Sequence, residues 1–301
     1  MRNGLAEVPV VDLYALLLAQ VLKETARDVG LPLLRKMPWP QGRRYATVLS
    51  HDVDDAGRSS PYQGIHMLSR AMQRGSPRGI ARGTYHALSG LGRSFMRQPD
   101  PYWNFERIML LEAEAGYRST FFFVAEASNV HRDPPYEVES DTLRELLRRL
   151  RSDGWELAVH GSYDSYLDPE ALSDQREKLE RVSGGPVRGV RQHYLRFRVP
   201  ETFRAQVDAG FAYDGTVGYR GTVGFRAGTA FPFRPFDTAA GQELPLLELP
   251  LTVMDGPLFW QLKLGSSEAS GRTLALLETA RSVEGLAVLL WHQRVWHEKR
   301  Y

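Results

Sequence analysis

Two carboxylates directly after an apolar segment have a spacing that suits metal binding or acid–base catalysis. Asp52 and Asp54 follow residues 45–49, whose β-branched and aromatic side chains predict a short buried strand. Because side chains alternate along a strand, both carboxylates should leave its carboxyl end on one face. Two neighbouring carboxylates both remain ionised only when a metal or another cation lies between them. The pair therefore predicts a charged functional site, and the alternative is a solvated acidic loop.

A histidine and a third carboxylate follow a second apolar segment. His160 and Asp164 come after residues 155–159, and if the chain turns helically there, both side chains lie on one face and can hold one ion. The 301 residues include no cysteine, so any metal must be bound by His, Asp or Glu. Such ligands suit Zn²⁺, and also Mn²⁺, Co²⁺ or Fe²⁺. The alternative is a helix cap beside a hydrogen-bonded core histidine.

An arginine and a histidine follow a third segment, residues 187–190. Arg191 can form a bidentate pair that keeps a carboxylate ionised, and Asp52 is the natural candidate for its partner. The alternative partners of Arg191 are substrate or a surface acid. His193, two residues further on, is open to three interpretations: a further metal ligand, a proton carrier or a packed residue.

The last apolar segment also ends in a histidine. His292 can titrate near neutral pH and act as a general acid, and the alternative is a structural role. Trp291 and the leucines before it would supply an apolar wall for a small acyl group or for the face of a sugar.

Short apolar runs and amphipathic helices alternate along the chain and position these residues. The predicted strands are residues 45–50, 119–124, 156–160, 187–191, 211–213, 246–250 and 286–291. Several lack polar alternation, which is typical of parallel strands buried on both faces. Predicted helices run from a cap at Asp12 to Gly30, through the leucines before Gly154, and from Asp168 to Gly184. This order predicts the α/β class, as an irregular barrel of about seven βα units with its functional residues at the carboxyl ends of the strands.

The predicted organisation is an N-terminal helical extension over 1–40 and a barrel over 41–301, with a basic insertion at about 56–99. The insertion contains seven arginines and no acidic residue. It would bind anionic glycans or lipid headgroups or line a substrate cleft, and the alternative is a solvated lid.

Composition and charge bear on whether this protein binds nucleic acid or spans a membrane. The formal net charge of +2 gives no reason to expect a nucleic-acid partner. The apolar run 13–22 is too short to cross a bilayer, and it lacks a basic n-region and a small-residue cleavage site. We therefore expect a cytoplasmic protein, peripheral to the membrane if the basic insertion contacts it.

In this order, the motifs resemble those of the polysaccharide deacetylases with NodB homology, carbohydrate esterase family 4. The resemblance spans residues 45–292 and rests on Ser-His-Asp-Val-Asp, His-Gly-Ser-Tyr-Asp, Arg-Gln-His-Tyr and Leu-Trp-His. It implies a distorted (β/α)7 barrel that uses a divalent metal, zinc first among the candidates, to remove N- or O-acetyl groups from a glycan or from a lipid- or nucleotide-linked sugar.

The resemblance also implies roles for individual residues. Asp52 matches the catalytic base, Arg191 the arginine that holds the base, and His292 the general acid. Among the other matched positions, the metal ligands are Asp54 and His160, the substrate-binding residues are Tyr194, Trp291 and Leu290, and Asp214 supports the arginine. Asp164 stands where the family has a second histidine, which implies an Asp-His-Asp ligand set.

Two other functions fit the same sequence. One is a related metal-dependent C–N hydrolase that acts on a non-glycan amide. The other is a catalytically silent glycan-binding protein of the same fold, which the Asp164 departure favours and the matching base, arginine and acid oppose.

Overall fold

The computed structural model describes residues 4–56, 100, 102–129, 131–134 and 136–297, with nine isolated positions between 68 and 88. The seven arginines of the predicted basic insertion lie outside the described residues. The helices are α1 Val10–Asp28, α2 Phe105–Glu114, α3 Asp141–Ser152, α4 Pro169–Ser183, α5 Glu201–Asp208 and α6 Ser266–Ser282. The strands are β1 Ala46–Val53, β2 Thr120–Phe123, β3 Glu156–Gly161, β4 Gly189–Gln192, β5 Tyr213–Asp214, β6 Phe236–Asp237, β7 Gln242–Glu243, β8 Leu247–Glu248, β9 Val253–Met254 and β10 Leu286–Leu290. No helix within these described ranges has the length and apolar character needed to cross a membrane.

The chain divides into two compact units that interleave in sequence. The first unit contains residues 1–50 and 212–290, and the second contains residues 51–211 and 291–301. The boundary falls inside β1, so the first half of this strand belongs to one unit and its carboxyl end to the other.

In the second unit, β2, β3 and β4 pair in parallel. Phe121 is in register with Leu157, and His160 is in register with Arg191. All four residues of β2 are buried, as expected for a parallel strand covered on both faces. Helix α3 buries the four leucines that the sequence pattern predicts, namely Leu143, Leu146, Leu147 and Leu150.

In the first unit, β10 pairs in parallel with β1 on one side and with β9 on the other. Ser50 is in register with Leu290, and Leu290 with Met254. Strands β5 and β8 form a further parallel pair, and β6 and β7 a short antiparallel hairpin.

The seven predicted strands are all present, and the predicted end signals of α4 are confirmed. Asp168 accepts a hydrogen bond from the backbone N–H of Ala171 at 3.0 Å, and Gly184 ends the helix in a left-handed conformation.

The predicted cap at Asp12 is wrong. Asp12 lies in the first turn of α1, where its buried carboxylate accepts hydrogen bonds from Thr229 Oγ1 and the backbone N–H of Ala230, both at 2.6 Å.

Candidate metal centre and active site

Three side chains of the second unit converge on one point. Asp54 Oδ1 lies 3.5 Å from His160 Nε2 and 3.5 Å from His193 Nε2, and the two imidazole rings are 4.8 Å apart. Asp54 follows β1, His160 lies in β3 and His193 follows β4, so three parallel strands contribute one residue each. Among the described residues, these three form a group whose ligand atoms all lie within 4.8 Å of one another. A candidate Asp-His-His metal site is therefore present.

Both imidazoles are oriented as metal ligands usually are. His160 Nδ1 bonds to the backbone carbonyl of Arg191 at 2.8 Å, and His193 Nδ1 bonds to Asp133 Oδ1 at 2.9 Å. Because a carbonyl or carboxylate oxygen only accepts, each Nδ1 donates, which assigns the tautomer whose Nε2 lone pair can bind a cation. Ligating histidines characteristically hold their other nitrogen in this way.

The donor set fits a divalent cation. Asp54 Oδ1 is buried and accepts no hydrogen bond among the described residues, although two imidazoles face it. An oxygen withdrawn from water without a partner is costly unless a cation or donor satisfies it. Burial lowers the pKa of His193, but the carboxylates of Asp133 and Asp54 outweigh burial and raise it to about 9. A cation bound here has to displace that proton.

Asp133 anchors the third of these residues. Its fully buried carboxylate accepts hydrogen bonds from the backbone N–H groups of Ser128, Asn129 and Tyr163 and from the Ser128 hydroxyl, at 2.7 to 3.1 Å. These bonds fix the carboxylate that orients His193. Burial raises the pKa of Asp133, but the hydrogen bond with His193 and the backbone N–H groups of Asn129 and Tyr163 outweigh burial and lower it.

A second carboxylate beside this group, that of Asp52, is paired with Arg191. Arg191 Nη1 donates to Asp52 Oδ1 at 2.8 Å, both side chains are buried, and the guanidinium lies 4.2 Å from the centre of the Phe122 ring. Burial raises the pKa of Asp52, but Arg191, His160 and His292 outweigh it, so the pKa is lowered and the carboxylate is ionised. His160 Nε2 lies 3.6 Å from Asp52 Oδ2, which places this base next to the candidate metal site.

The other oxygen of Asp54 faces two groups from the segment after β10. His292 Nε2 is 3.4 Å and Arg294 Nη2 is 3.3 Å from Asp54 Oδ2. Arg294 also binds Asp55 at 2.7 Å. Burial raises the pKa of Asp54, but His292 and Arg294 hold it well below its ordinary value. His292 therefore lies at the candidate site, beside Asp54.

Two side chains, those of Tyr136 and His51, hold the elements that carry these residues. The Tyr136 hydroxyl donates to the carbonyl of Val53 at 2.7 Å and accepts from the backbone N–H of Val124 at 2.9 Å, which ties the end of β1 to the end of β2. His51 bonds through Nδ1 to the carbonyl of Trp291 at 2.6 Å. The residue before Asp52 therefore holds the residue before His292.

A glycine at the end of β3 is required by its neighbour on β4. A Cβ added to Gly161 would lie 2.3 Å from Gln192 Oε1 and 2.8 Å from its side-chain carbon. Any larger residue at 161 would require the buried side chain of Gln192 to move.

The structure places Asp164, the third predicted ligand, outside this group of three residues. Its carboxylate is 53% exposed, binds Arg196 Nη1 at 3.0 Å and accepts from Asn129 Nδ2 at 3.1 Å. After β3 the chain does not form the helical turn that would align positions 160 and 164; a short 3₁₀ turn over Ser165–Leu167 begins only beyond Asp164. His193, which the sequence leaves open, stands in the third position.

The residue after His193 forms the exposed rim of the site. Tyr194 has φ +59° and ψ 17°, is 37% exposed, and stacks 4.4 Å from the His193 ring. Its ring also meets Tyr163 edge-on at 5.5 Å, and Arg132 lies over both tyrosines at 5.2 and 5.8 Å. A left-handed backbone at a residue other than glycine is strained and is found mainly where the surrounding structure imposes it.

The remaining predicted residues lie as follows. Trp291 follows β10, is partly buried, and belongs to the second unit. Leu290 is the last residue of β10 and Asp214 lies in β5; both are fully buried in the first unit. Asp214 accepts a short hydrogen bond from the Thr216 hydroxyl. The roles assigned to these three residues remain predictions.

Comparison with solved structures defines the class of fold. The chain matches a Mycobacterium smegmatis protein described as a candidate polysaccharide deacetylase, with a TM-score of 0.53 and 20% identity over 87% of this chain and 82% of that one. This match confirms the predicted fold, a distorted (β/α)7 barrel of the NodB-like deacetylase type.

Other solved structures match with lower TM-scores. They include the Bacillus cereus polysaccharide deacetylase Bc1974, at 12% identity over 83% of this chain and 80% of that one, with a TM-score of 0.34. A family 4 carbohydrate esterase from Streptomyces lividans, solved with acetate, matches at 12% identity over 83% and 79%, with a TM-score of 0.35. No family model and no curated protein sequence matches the chain.

Proposed function

We propose that this protein is a metal-dependent hydrolase that removes acetyl groups from an N- or O-acetylated sugar or polysaccharide. In this proposal Asp54, His160 and His193 hold a divalent cation, Asp52 is the general base and His292 the general acid. Zn²⁺ is the first candidate because two imidazoles and one carboxylate with an open position are typical of catalytic zinc, and Mn²⁺, Co²⁺ and Fe²⁺ follow.

The observation that carries the proposal is the convergence of two imidazole Nε2 atoms on an unbonded carboxylate oxygen, beside an ionised carboxylate paired with a buried arginine. A histidine with a purely structural role need not direct its Nε2 atom at a carboxylate. A buried carboxylate with a structural role normally accepts hydrogen bonds from nearby N–H or O–H groups. Perturbed ionisable groups gathered in this way are characteristic of catalytic sites.

The proposed chemistry divides between the two sides of the Asp54 carboxylate. A divalent cation, when bound, polarises an acyl oxygen and lowers the pKa of water. Asp52, kept ionised by Arg191, accepts a proton from the attacking water. His292, on the side of Asp54 Oδ2, delivers a proton to the departing amine or alcohol. Each proton transfer should increase the reaction rate by a factor of roughly 10²–10⁴.

The substrate proposal rests on the rim of the site. Tyr194 offers an exposed ring beside His193, and Trp291 lies next to the proposed acid. Aromatic faces of this kind suit the apolar face of a sugar or an acetyl methyl group. Leu290 as part of the apolar wall and Asp214 as support for Arg191 are carried as proposals from the sequence alone.

Acetate release by the purified protein tests the proposal. With Zn²⁺, Mn²⁺ or Co²⁺ added, we expect release from chitooligosaccharides, a nucleotide-linked N-acetyl sugar or an O-acetylated xylan. Asp52→Asn should lower turnover by roughly 10²–10⁴ and keep the bound metal. Asp208→Asn, an exposed aspartate of α5, is the matched control and should keep full activity.

Three results would contradict the proposal. Undiminished acetate release by Asp52→Asn would remove the base from the mechanism. Stoichiometric metal with no acetate release, but with hydrolysis of a small non-glycan amide, would favour the related C–N hydrolase. If the protein binds glycans but binds no metal and releases no acetate, it would be a catalytically silent relative of these enzymes.

A further inference from the structure

An apolar arm, residues 10–39, leaves most of its large side chains in solvent. Helix α1 buries only Asp12, a charged residue. Fourteen large apolar residues of the arm are exposed: Val10, Val11, Leu13, Tyr14, Leu16, Leu17, Leu18, Val21, Leu22, Val29, Leu31, Leu33, Leu34 and Met37. Exposure reaches 74% at Tyr14 and 95% at Leu34. An apolar surface of this extent marks an interaction site on an otherwise polar surface.

The exposed side chains occupy a broad sector of α1. With about 100° between successive residues, eight of the nine exposed apolar residues of α1 fall within roughly half of its circumference. Polar and small residues, such as Lys23, Arg27 and Ala19, occupy the other half. A sector this wide exceeds the narrow seam by which two helices pair.

Both ends of the arm are fixed to neighbouring points of the first unit. Near its start, Asp12 binds Thr229 and Ala230. At its end, Trp39 Nε1 donates to the carbonyl of Glu284 at 2.8 Å. The two anchor points adjoin, because the backbone N–H of Leu286 donates to the carbonyl of Ala230 at 2.6 Å.

Because the two ends adjoin, the chain must return over the length of the helix. Nineteen residues of α1 span about 28 Å at 1.5 Å per residue. The ten residues 29–38 can cover about 33 Å when extended, which is enough for them to reach back to Trp39. The arm is therefore a hairpin of one helix and one returning segment; among the described residues, its polar contacts with the rest of the first unit lie near its two ends, at Val11, Asp12, Arg35 and Trp39.

The returning segment and the residues that follow it carry an excess of positive charge. Residues 29–51 include Arg35, Lys36, Arg43 and Arg44 and no acidic residue. Arg35 and Arg44 both bind the single carboxylate of Glu284. Lys36 and Arg43 are exposed, and Lys36 lies between the exposed side chains of Leu34 and Met37 in the sequence.

We propose that the apolar arm binds the surface of an anionic lipid bilayer, with α1 lying in the plane of the interface. Its broad apolar sector would enter the boundary between headgroups and acyl chains, and the cations of residues 35–44 would meet lipid phosphates. The alternative occupant, a second copy of this chain, would have to cover both a wide helix sector and an irregular segment. The proposal is independent of the proposed enzymatic function, because the arm belongs to the first unit and the candidate metal site to the second.

Co-sedimentation of the full chain with vesicles tests this inference. We expect binding to vesicles of phosphatidylcholine with about one third phosphatidylglycerol, and weaker binding to phosphatidylcholine alone or in high salt. Leu17→Glu and Leu34→Glu should each lower the partition coefficient by about tenfold or more, since each removes an inserted leucine and adds a repelled charge. Leu274→Glu is the matched control: Leu274 on α6 is 61% exposed, close to the 60% of Leu17, but lies outside the arm.

The outcomes separate lipid from protein partners. Loss of binding in the two arm variants but not in Leu274→Glu would support the proposal. Failure of the wild-type chain to sediment with anionic vesicles would overturn it, as would an equal loss in all three variants. A dimer in light scattering that Leu17→Glu dissociates, without vesicle binding, would assign the arm to a second copy instead. Acetate release in solution is measured separately, so failure here leaves the enzymatic proposal intact.

Discussion

At the scale of single residues, the two oxygens of Asp54 serve different groups. Oδ1 faces the two imidazoles, whereas Oδ2 faces His292 and Arg294 at 3.4 and 3.3 Å. The carboxylate therefore separates the proposed cation from the proposed acid. The sequence predicts Asp54 and His160 from their places at strand ends, but it cannot decide between Asp164 and His193, because spacing fixes a shared face only when the local conformation is known.

A pair of variants decides the third ligand. His193→Ala should lower zinc affinity by about 100-fold or more, because it removes both a ligand and the partner of Asp133. Asp164→Ala should change zinc affinity less than about threefold, since that carboxylate binds Arg196 at the surface. Isothermal titration of the metal-free variants with zinc measures both affinities. A larger loss of affinity in Asp164→Ala than in His193→Ala would favour the Asp-His-Asp ligand set instead.

At the scale of elements, a buried polar network joins α2 to the strand that carries the base. Glu112 of α2 accepts hydrogen bonds from Ser119 at 2.8 Å and Trp155 at 2.7 Å and pairs with His51 Nε2 at 2.9 Å. His51 in turn holds the carbonyl of Trp291. Helix α2 is not among the predicted helices, and its own residues give little sign of the network, because the partners come from four separate segments.

The pH dependence of stability tests this network. Burial raises the pKa of Glu112, but His51, Trp155 and Ser119 outweigh burial and lower it below 4.5. The ionised carboxylate therefore stabilises the fold at pH values above about 4.5, and this contribution is lost as the pH falls through the lowered pKa. Glu112→Gln should reduce the free energy of unfolding by about 2–4 kcal/mol at pH 6.

Urea unfolding at several pH values provides the measurement. The difference between wild type and Glu112→Gln should be constant from pH 6 to pH 5 and shrink below pH 4.5. Glu114→Gln, an exposed position at the end of the same helix, should leave the unfolding curve unchanged at every pH. A difference that grows on acidification would contradict the assignment of an ionised Glu112.

At the scale of the whole molecule, the alternation of apolar runs predicts the barrel because parallel strands buried on both faces leave a strong compositional trace. The strands it does not predict, such as β6 and β9, have only two residues each, too few to show any period. Helix α6 was missed because only Ala269, Leu276 and Ala280 are buried along its 17 residues. The interleaving of two units depends on contacts between distant segments and has no local signature.

The anchor of the apolar arm gives a prediction at this scale. Glu284 binds Arg35 and Arg44, and these pairs lower its pKa. Glu284→Gln should release the returning segment, so that trypsin cleaves at Arg35 and Lys36 several-fold faster while the melting temperature changes little. Limited proteolysis followed by mass spectrometry measures this, with Glu278→Gln of the exposed Arg281 pair as the control. Equal cleavage rates in the two variants would show that Glu284 does not hold the arm.

The position of His193 has a consequence for the order of assembly. A ligand pair at 160 and 164 would have formed within one turn of chain, before any strands had met. The group at positions 54, 160 and 193 draws instead on three strand ends, and more than a hundred residues separate the first from the second. Such a site exists only after β1, β3 and β4 have taken their places. Metal uptake during refolding would therefore be a late event, and its rate would report completion of the second unit.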